Sequence, residues 1–146
     1  MKALVQRVSK AKVTISGKTM GEIDRGLLVF LGVGKDDTFK EVEMLGRRIL
    51  SLRIFSDEEG KMNLSTLDIR GQILLISQFT LYADTSRGNR PSFTNAAEND
   101  IANNLYEHMK TYLSKYGKIE SGVFGADMQV ELVNDGPVTI MLDTER

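Results

Sequence analysis

Ser77-Gln78-Phe79-Thr80-Leu81 closes an apolar run with two hydroxyls and an amide within four positions. Asn134-Asp135-Gly136-Pro137-Val138-Thr139, near the C-terminal end, sets an amide and a carboxylate beside a Gly-Pro pair. Little else in the chain looks reactive. There is no cysteine and a single histidine, His108, which removes thiol nucleophiles, cysteine-built zinc sites and most histidine-based triads. Whatever chemistry occurs must rest on backbone, hydroxyls and amides. No pattern ties a base to Ser77 or Thr80, and a hydroxyl at a strand end commonly serves only as a hydrogen-bond partner. Gly32-Val33-Gly34 runs into Lys35-Asp36-Asp37 without the third glycine of a dinucleotide fingerprint, and no phosphate-loop lysine is spaced correctly from a glycine. The acidic run Asp57-Glu58-Glu59 lacks the alternating oxygen ligands of a calcium loop and reads as a solvated turn. With no histidine or cysteine cluster, no catalytic metal and no cofactor are expected.

These segments need a scaffold, and hydrophobic periodicity predicts a mixed one. Residues 3–8 and 11–15 read as two strands that mix β-branched and polar side chains. Leu27-Leu28-Val29-Phe30-Leu31-Gly32-Val33 is apolar throughout, as a central strand buried on both faces would be. Thr38 and Glu41 have the spacing of a capping box, and Phe39, Val42, Leu45, Ile49 and Leu52 then recur at helical intervals. Strand character returns at residues 52–55 and again at 71–80, so the first reactive segment ends a buried strand. Residues 83–92 form a long polar loop. A second helix starts near Glu98 with Ile101, Leu105, Met109, Tyr112 and Tyr116 on its stripe and Gly117 as C-cap. His108 lies beside that stripe, where a boundary position is the simpler reading. Strands are predicted at 118–124, 127–133 and 138–143. On these signals alone Asn134-Asp135-Gly136-Pro137 is a hairpin turn between the last two.

A chain of 146 residues with 41% hydrophobic content predicts one domain, 1–146, able to bury roughly 68% of its unfolded surface. Its 19 basic and 20 acidic residues nearly cancel, so any nucleic-acid site would have to be a local basic patch. No apolar run approaches a membrane span and no signal-peptide pattern opens the chain, which leads to an expected cytoplasmic location.

Several blocks together resemble the D-aminoacyl-tRNA deacylases of the D-tyrosyl-tRNA deacylase family. They are Gln6-Arg7-Val8, Gly26-Leu27-Leu28-Val29, Arg53-Ile54-Phe55, Gly60-Lys61-Met62-Asn63-Leu64-Ser65, Arg90-Pro91-Ser92-Phe93 and Gly122-Val123-Phe124-Gly125-Ala126-Asp127-Met128, in addition to the two opening segments. The resemblance runs nearly end to end. It implies an α+β fold with mixed or antiparallel sheets in a barrel-like or sandwich core and two main helices. It also implies hydrolysis of the ester between a D-amino acid, or glycine, and the terminal ribose of tRNA by a homodimer. In that dimer a cis Gly136-Pro137 bond enters the partner's pocket and rejects L-substrates.

By the same resemblance Ser77, Gln78, Phe79 and Thr80 are the catalytic segment, and Gly136 with Pro137 selects chirality. Phe124, Met128 and Ala102 resemble pocket-lining residues, and Arg7 resembles the residue that braces the Gly-Pro loop. Lys10, Lys12, Arg87, Arg90, Lys110 and Lys115 are candidates for tRNA phosphates. The expected partners are aminoacyl-tRNA, through its 3′-terminal adenosine and acceptor stem, and a second copy of the chain. Two other functions remain open at this point: a related deacylase acting on L-alanyl-tRNA, and a non-catalytic RNA-binding dimer.

Overall fold

The computed structural model describes residues 1–145 as one mixed sheet with two helices packed on one face. The apolar run predicted as a central strand is β3 (Gly26–Gly32), and burial is nearly continuous along it, as a strand covered on both faces requires. Leu27, Val29 and Leu31 join the core beneath the helices, while Leu28 belongs to a smaller cluster on the opposite face. β3 pairs antiparallel with β1 (Lys2–Ile15) and parallel with β6 (Gln72–Ser77), which in turn pairs parallel with β7 (Ile119–Ser121). A two-stranded antiparallel pair, β4 (Phe55–Ser56) with β5 (Met62–Leu64), flanks the acidic turn, where Gly60 takes φ +77°.

β1 differs from the sequence reading and organises the sheet. The two strands predicted at 3–8 and 11–15 are one strand, because Ser9 and Lys10, polar and exposed, continue the extended backbone between them. β8 (Gln129–Asp143) follows nearly the whole of one edge of β1. The other edge is shared, with β3 beside its first half and β2 (Lys18–Ile23) beside its second. One strand serving three partners wraps the sheet into a nearly barrel-shaped layer.

β8 also overturns the hairpin expected at residues 134–137. Its two halves pair not with each other but both with β1, Val133 opposite Lys10 and Thr139 opposite Gln6. The residues between bulge out of a single strand. An Asp-Gly signal makes a hairpin only when the flanking segments find each other, and here a long third strand takes both.

α1 (Phe39–Ser51) begins at the predicted capping box. The Lys40 N–H donates to Thr38 Oγ1 at 3.2 Å and the Thr38 N–H to Glu41 Oε2 at 2.8 Å. Val42, Leu45 and Ile49 are buried as the spacing predicts, whereas Phe39, at the first turn, is exposed and rests its ring 4.5 Å from that of His108. α2 (Asn99–Ser114) buries a stripe rotated from the expected one: Ala102, Leu105, Tyr106, Met109 and Leu113 face inward, while Ile101 and Tyr116 are exposed. Tyr116 lies beyond the helix end. A wide apolar face does not reveal which of its edges the sheet will cover, and α1 claims part of it.

Candidate functional site

β6 stops at Ser77, three residues short of the strand predicted over 71–80. The Gln78 N–H extends the ladder by one bond to Leu31 O at 2.7 Å, and the chain then tightens into a 3-10 turn over Phe79–Tyr82. The Phe79 and Thr80 N–H groups open that turn, where no intrahelical acceptor exists, and no other acceptor among the described residues takes them. Two adjacent main-chain donors are thereby left at a strand end. The Gln78 side-chain amide donates to Thr80 Oγ1, and no ionisable side chain among the described residues hydrogen-bonds that hydroxyl.

A cleft of about 490 Å³ opens beside the turn. Ser77, Gln78 and Phe79 line one side, Ala102 at the start of α2 a second, and the loop carrying Phe124 and Met128 a third. Asp127 is the one carboxylate among the lining residues. Six residues named from the sequence therefore converge: Ser77, Gln78, Phe79, Ala102, Phe124 and Met128. Thr80 sits one step along the same turn, outside the lining and exposed.

Three supports of this cleft were not singled out in the sequence. Tyr82, 7% exposed, ends the 3-10 turn and places its hydroxyl 3.5 Å from Asp37 Oδ2, the oxygen that also accepts the Gly34 N–H at 2.6 Å. Asp37 Oδ1 pairs with the Met1 ammonium at 2.7 Å. Burial first, and then the Asp37 carboxylate, push the Tyr82 phenol well above its ordinary pKa, so it stays a neutral donor. A Cβ on Gly34 would lie 2.7 Å from the Tyr82 hydroxyl, so the turn seats only over a glycine. Tyr106 is buried beneath β6 and donates to Leu75 O at 2.9 Å, with its ring 6.0 Å from that of Phe124. Burial raises its phenol to about 12. Phe93 sets its ring edge-on to that of the exposed Phe79 at 4.9 Å. The available signals were adjacency, since Tyr82 follows Leu81 directly and Tyr106 stands one helical turn past Ala102.

The second motif lies elsewhere on the chain. Gly136 and Pro137 are exposed, joined by a cis peptide bond, and do not line the cleft of their own chain. Gly136 takes φ +132°, in the region that favours glycine. Arg7 holds this bulge: its Nε donates to Asp135 O at 2.9 Å and its Nη1 to Ile54 O at 2.7 Å. Asn134 closes the bulge from within by donating its amide to Arg7 O at 3.0 Å and to Val138 O at 2.9 Å.

The candidate phosphate-binding cations are dispersed. Lys10 and Lys12 border a separate hollow on β1, with Lys12 Nζ 3.4 Å from Glu131. Arg87 and Arg90 occupy the exposed loop that follows the 3-10 turn. Lys110 and Lys115 lie toward the far end of α2, and Lys115 sits 5.9 Å over the Tyr112 ring. No helix among the described residues is long and apolar enough to cross a membrane.

This combination of a mixed barrel-like sheet, two helices on one face and a strand-end turn beside a cleft characterises a known class. The model of the D-Tyr-tRNA(Tyr) deacylase family matches residues 4–143, and the chain belongs to that family. It is an enzyme, a hydrolase of the D-aminoacyl-tRNA deacylase type. A D-aminoacyl-tRNA deacylase of Thermosipho africanus is 55% identical over 147 residues, covering 100% of this chain and 99% of that one. A solved structure of c-Myc DNA Unwinding Element Binding Protein superposes with TM-score 0.94 at 44% identity, covering 99% of both chains. A structure described as a probable eukaryotic D-amino acid tRNA deacylase shares the fold at TM-score 0.83 and 17% identity, covering 97% of both chains.

Proposed function

We propose that the chain hydrolyses the ester joining a D-amino acid, or glycine, to the 3′-terminal ribose of tRNA, and that it does so in the cytoplasm as a homodimer. The observation that carries this reading is the cleft itself. It sets Ser77, Gln78 and Phe79 beside two unpaired main-chain donors and offers no histidine, cysteine or paired carboxylates. Water attacks the ester carbonyl, and the Phe79 and Thr80 N–H groups hold the developing oxyanion, an interaction whose loss costs about 2.7–4 kcal/mol in other hydrolases. The tetrahedral species collapses with departure of the ribose 3′-oxygen, which takes up a proton, releasing free amino acid and tRNA.

An aminoacyl ester is already activated, and Thr80 has no base of its own, so the ribose 2′-hydroxyl activates the water. Thr80→Ala therefore retains most of its turnover. Loss of turnover with intact substrate binding would transfer the chemical role to Thr80.

Chirality is read by Gly136 and Pro137 of a second copy inserted into the cleft. Both are exposed in the single chain and held rigidly by Arg7. On the sheet face away from the helices, Met128, Val130 and Leu132 are only half-buried, leaving apolar surface for a partner to cover. Main-chain carbonyls grip the substrate ammonium, and a rigid wall stands where an L side chain would point. A site that leaves polar groups unpaired with the wrong substrate discriminates by about 10⁴–10⁵, against about 10–200 for apolar size sorting. Glycine passes because it has no side chain to exclude.

The deciding experiment offers D-tyrosyl-, L-tyrosyl-, L-alanyl- and glycyl-tRNA to the purified protein in parallel. Hydrolysis of the D and glycyl esters with sparing of both L esters is expected. Hydrolysis of L-alanyl-tRNA alone would replace this assignment with the L-specific deacylase, and tRNA binding without any turnover would replace it with the binding module.

A further inference from the structure

At the end of β6 remote from the catalytic turn, a second hollow of about 380 Å³ lies between the turns of residues 65–71 and the segment that links α2 to β7. Ile73 and Ile119 form its apolar wall, and Thr66, Arg70, Tyr116 and Lys118 supply its polar side chains. All four polar groups are hydrogen-bond donors, and no carboxylate lines the hollow.

Three features mark it as a site. Thr66 is 2% exposed, and its Oγ1 is the one buried side-chain polar atom among the described residues without a hydrogen-bond partner. Buried hydroxyls are nearly always paired, and because Thr66 lines the hollow, a turn of χ1 to another staggered rotamer brings this unpaired one to an occupant. Arg70 holds φ +52°, a conformation uncommon outside glycine and concentrated at functional positions. No ion pair among the described residues occupies its guanidinium. Lys118 adds a second cation, tied only loosely to Glu120 at 3.8 Å.

We propose that this hollow binds a nucleotide through its phosphate. The phosphate oxygens accept from the Arg70 guanidinium, the Lys118 ammonium and, once its χ1 has turned, the orphaned Thr66 hydroxyl, a donor set suited to a multiply charged oxyanion. The half-exposed Tyr116 ring and the isoleucine wall take the attached nucleoside, by the stacking that aromatic side chains offer any base. The volume falls in the range of small-molecule sites, about 300–1,000 Å³. β6 separates the hollow from the catalytic cleft by roughly 20 Å, so the occupant is not the terminal aminoacyl-adenosine. The phosphate comes either from a free mononucleotide or from an RNA strand.

The test is an amide-resolved NMR titration of the full chain with AMP, adenosine and a 5′-phosphorylated RNA trinucleotide. AMP is expected to shift amides of residues 66–71 and 116–119, and adenosine to bind at least about tenfold more weakly because it lacks the phosphate. Arg70→Gly keeps the fold, since glycine adopts positive φ freely, and weakens AMP binding about tenfold. Thr66→Val weakens AMP binding yet raises the melting temperature, because it deletes a buried hydroxyl that has no partner in the free protein. Opposite signs in those two readouts separate a ligand role from a packing role. Shifts with AMP identify a free nucleotide as the occupant, and shifts with the trinucleotide alone identify an RNA strand; both uphold a phosphate site. Shifts confined to residues 77–82 and 124–128, binding unchanged in Arg70→Gly, or no shift with any probe at millimolar concentration would overturn it.

Discussion

Arg7→Ala tests how the Gly136-Pro137 bulge is held. The wild-type guanidinium bridges two carbonyls, Asp135 O at 2.9 Å and Ile54 O at 2.7 Å, from a side chain only 12% exposed. A hydrogen bond from a charged donor contributes about 1.5–3 kcal/mol, but the two losses are unequal. Asp135 is exposed, so its carbonyl rehydrates when the arginine goes; Ile54 is 4% exposed, so its carbonyl is left buried without that partner. The Asp135 carboxylate, 3.7 Å from Nε and 53% exposed, adds little. Together these give a destabilisation of about 2–4 kcal/mol. For a chain of this length each kcal/mol lowers the melting temperature by about 2–4 °C, so a fall of roughly 5–15 °C is expected by circular dichroism. The bulge is held from one side only by Asn134 once Arg7 is gone, so D-tyrosyl- over L-tyrosyl-tRNA selectivity should fall together with stability. Arg7→Lys should recover only part of both, because an ammonium cannot span two divergent carbonyls as a planar fork does. A melting temperature within about 1 °C of wild type and an unchanged selectivity ratio would refute the bracing role.

Gly34→Ala places a Cβ 2.7 Å from the Tyr82 hydroxyl and 2.9 Å from its Cζ, an overpacking cost of about 1–3 kcal/mol, with reduced turnover because the 3-10 turn shifts. Adding Tyr82→Leu should recover part of that loss, and simple additivity in the double-mutant cycle would count against the steric account. Tyr106 ionises near pH 10 when unfolded but at about 12 when folded, so the folded chain retains a proton the unfolded chain has lost. That contribution to stability is complete below pH 10 and declines by about 2–3 kcal/mol in total as the pH rises to 12; urea melts across this range should show a shallower decline in Tyr106→Phe. Thr38→Ala removes the α1 cap at a cost of about 0.5–2 kcal/mol, read from denaturant midpoints. Hydrogen bonds from Thr38 depress the Glu41 carboxyl, so the Glu41 part of that stability is present at neutral pH and disappears as the pH falls through its lowered folded value.

Some of this was legible before any coordinates. The continuous apolar run at β3 can be satisfied only by burial on both faces, and the Thr38-Glu41 pair is a local device whose partners are three residues apart. The motif at residues 77–81 marks a strand end because its polarity changes abruptly, although the point at which extended backbone gives way to a 3-10 turn depends on Tyr82 and Asp37, which the tertiary structure brings together. The stripe of α2 was displaced because both edges of its apolar face are hydrophobic and the neighbouring helix decides which is covered.

Local sequence thus determined the alternation of strand and helix, the capped start of α1 and the family. Tertiary structure decided that two predicted strands are one, that an apparent hairpin is a bulge on a continuous strand, and that the two opening motifs stand apart within a chain. The physical reason is the same in each case. A turn signal or an apolar stripe is a short-range preference of a few kcal/mol at most, whereas β1 offers both of its edges along fourteen residues, and pairing on that scale overrides local preference.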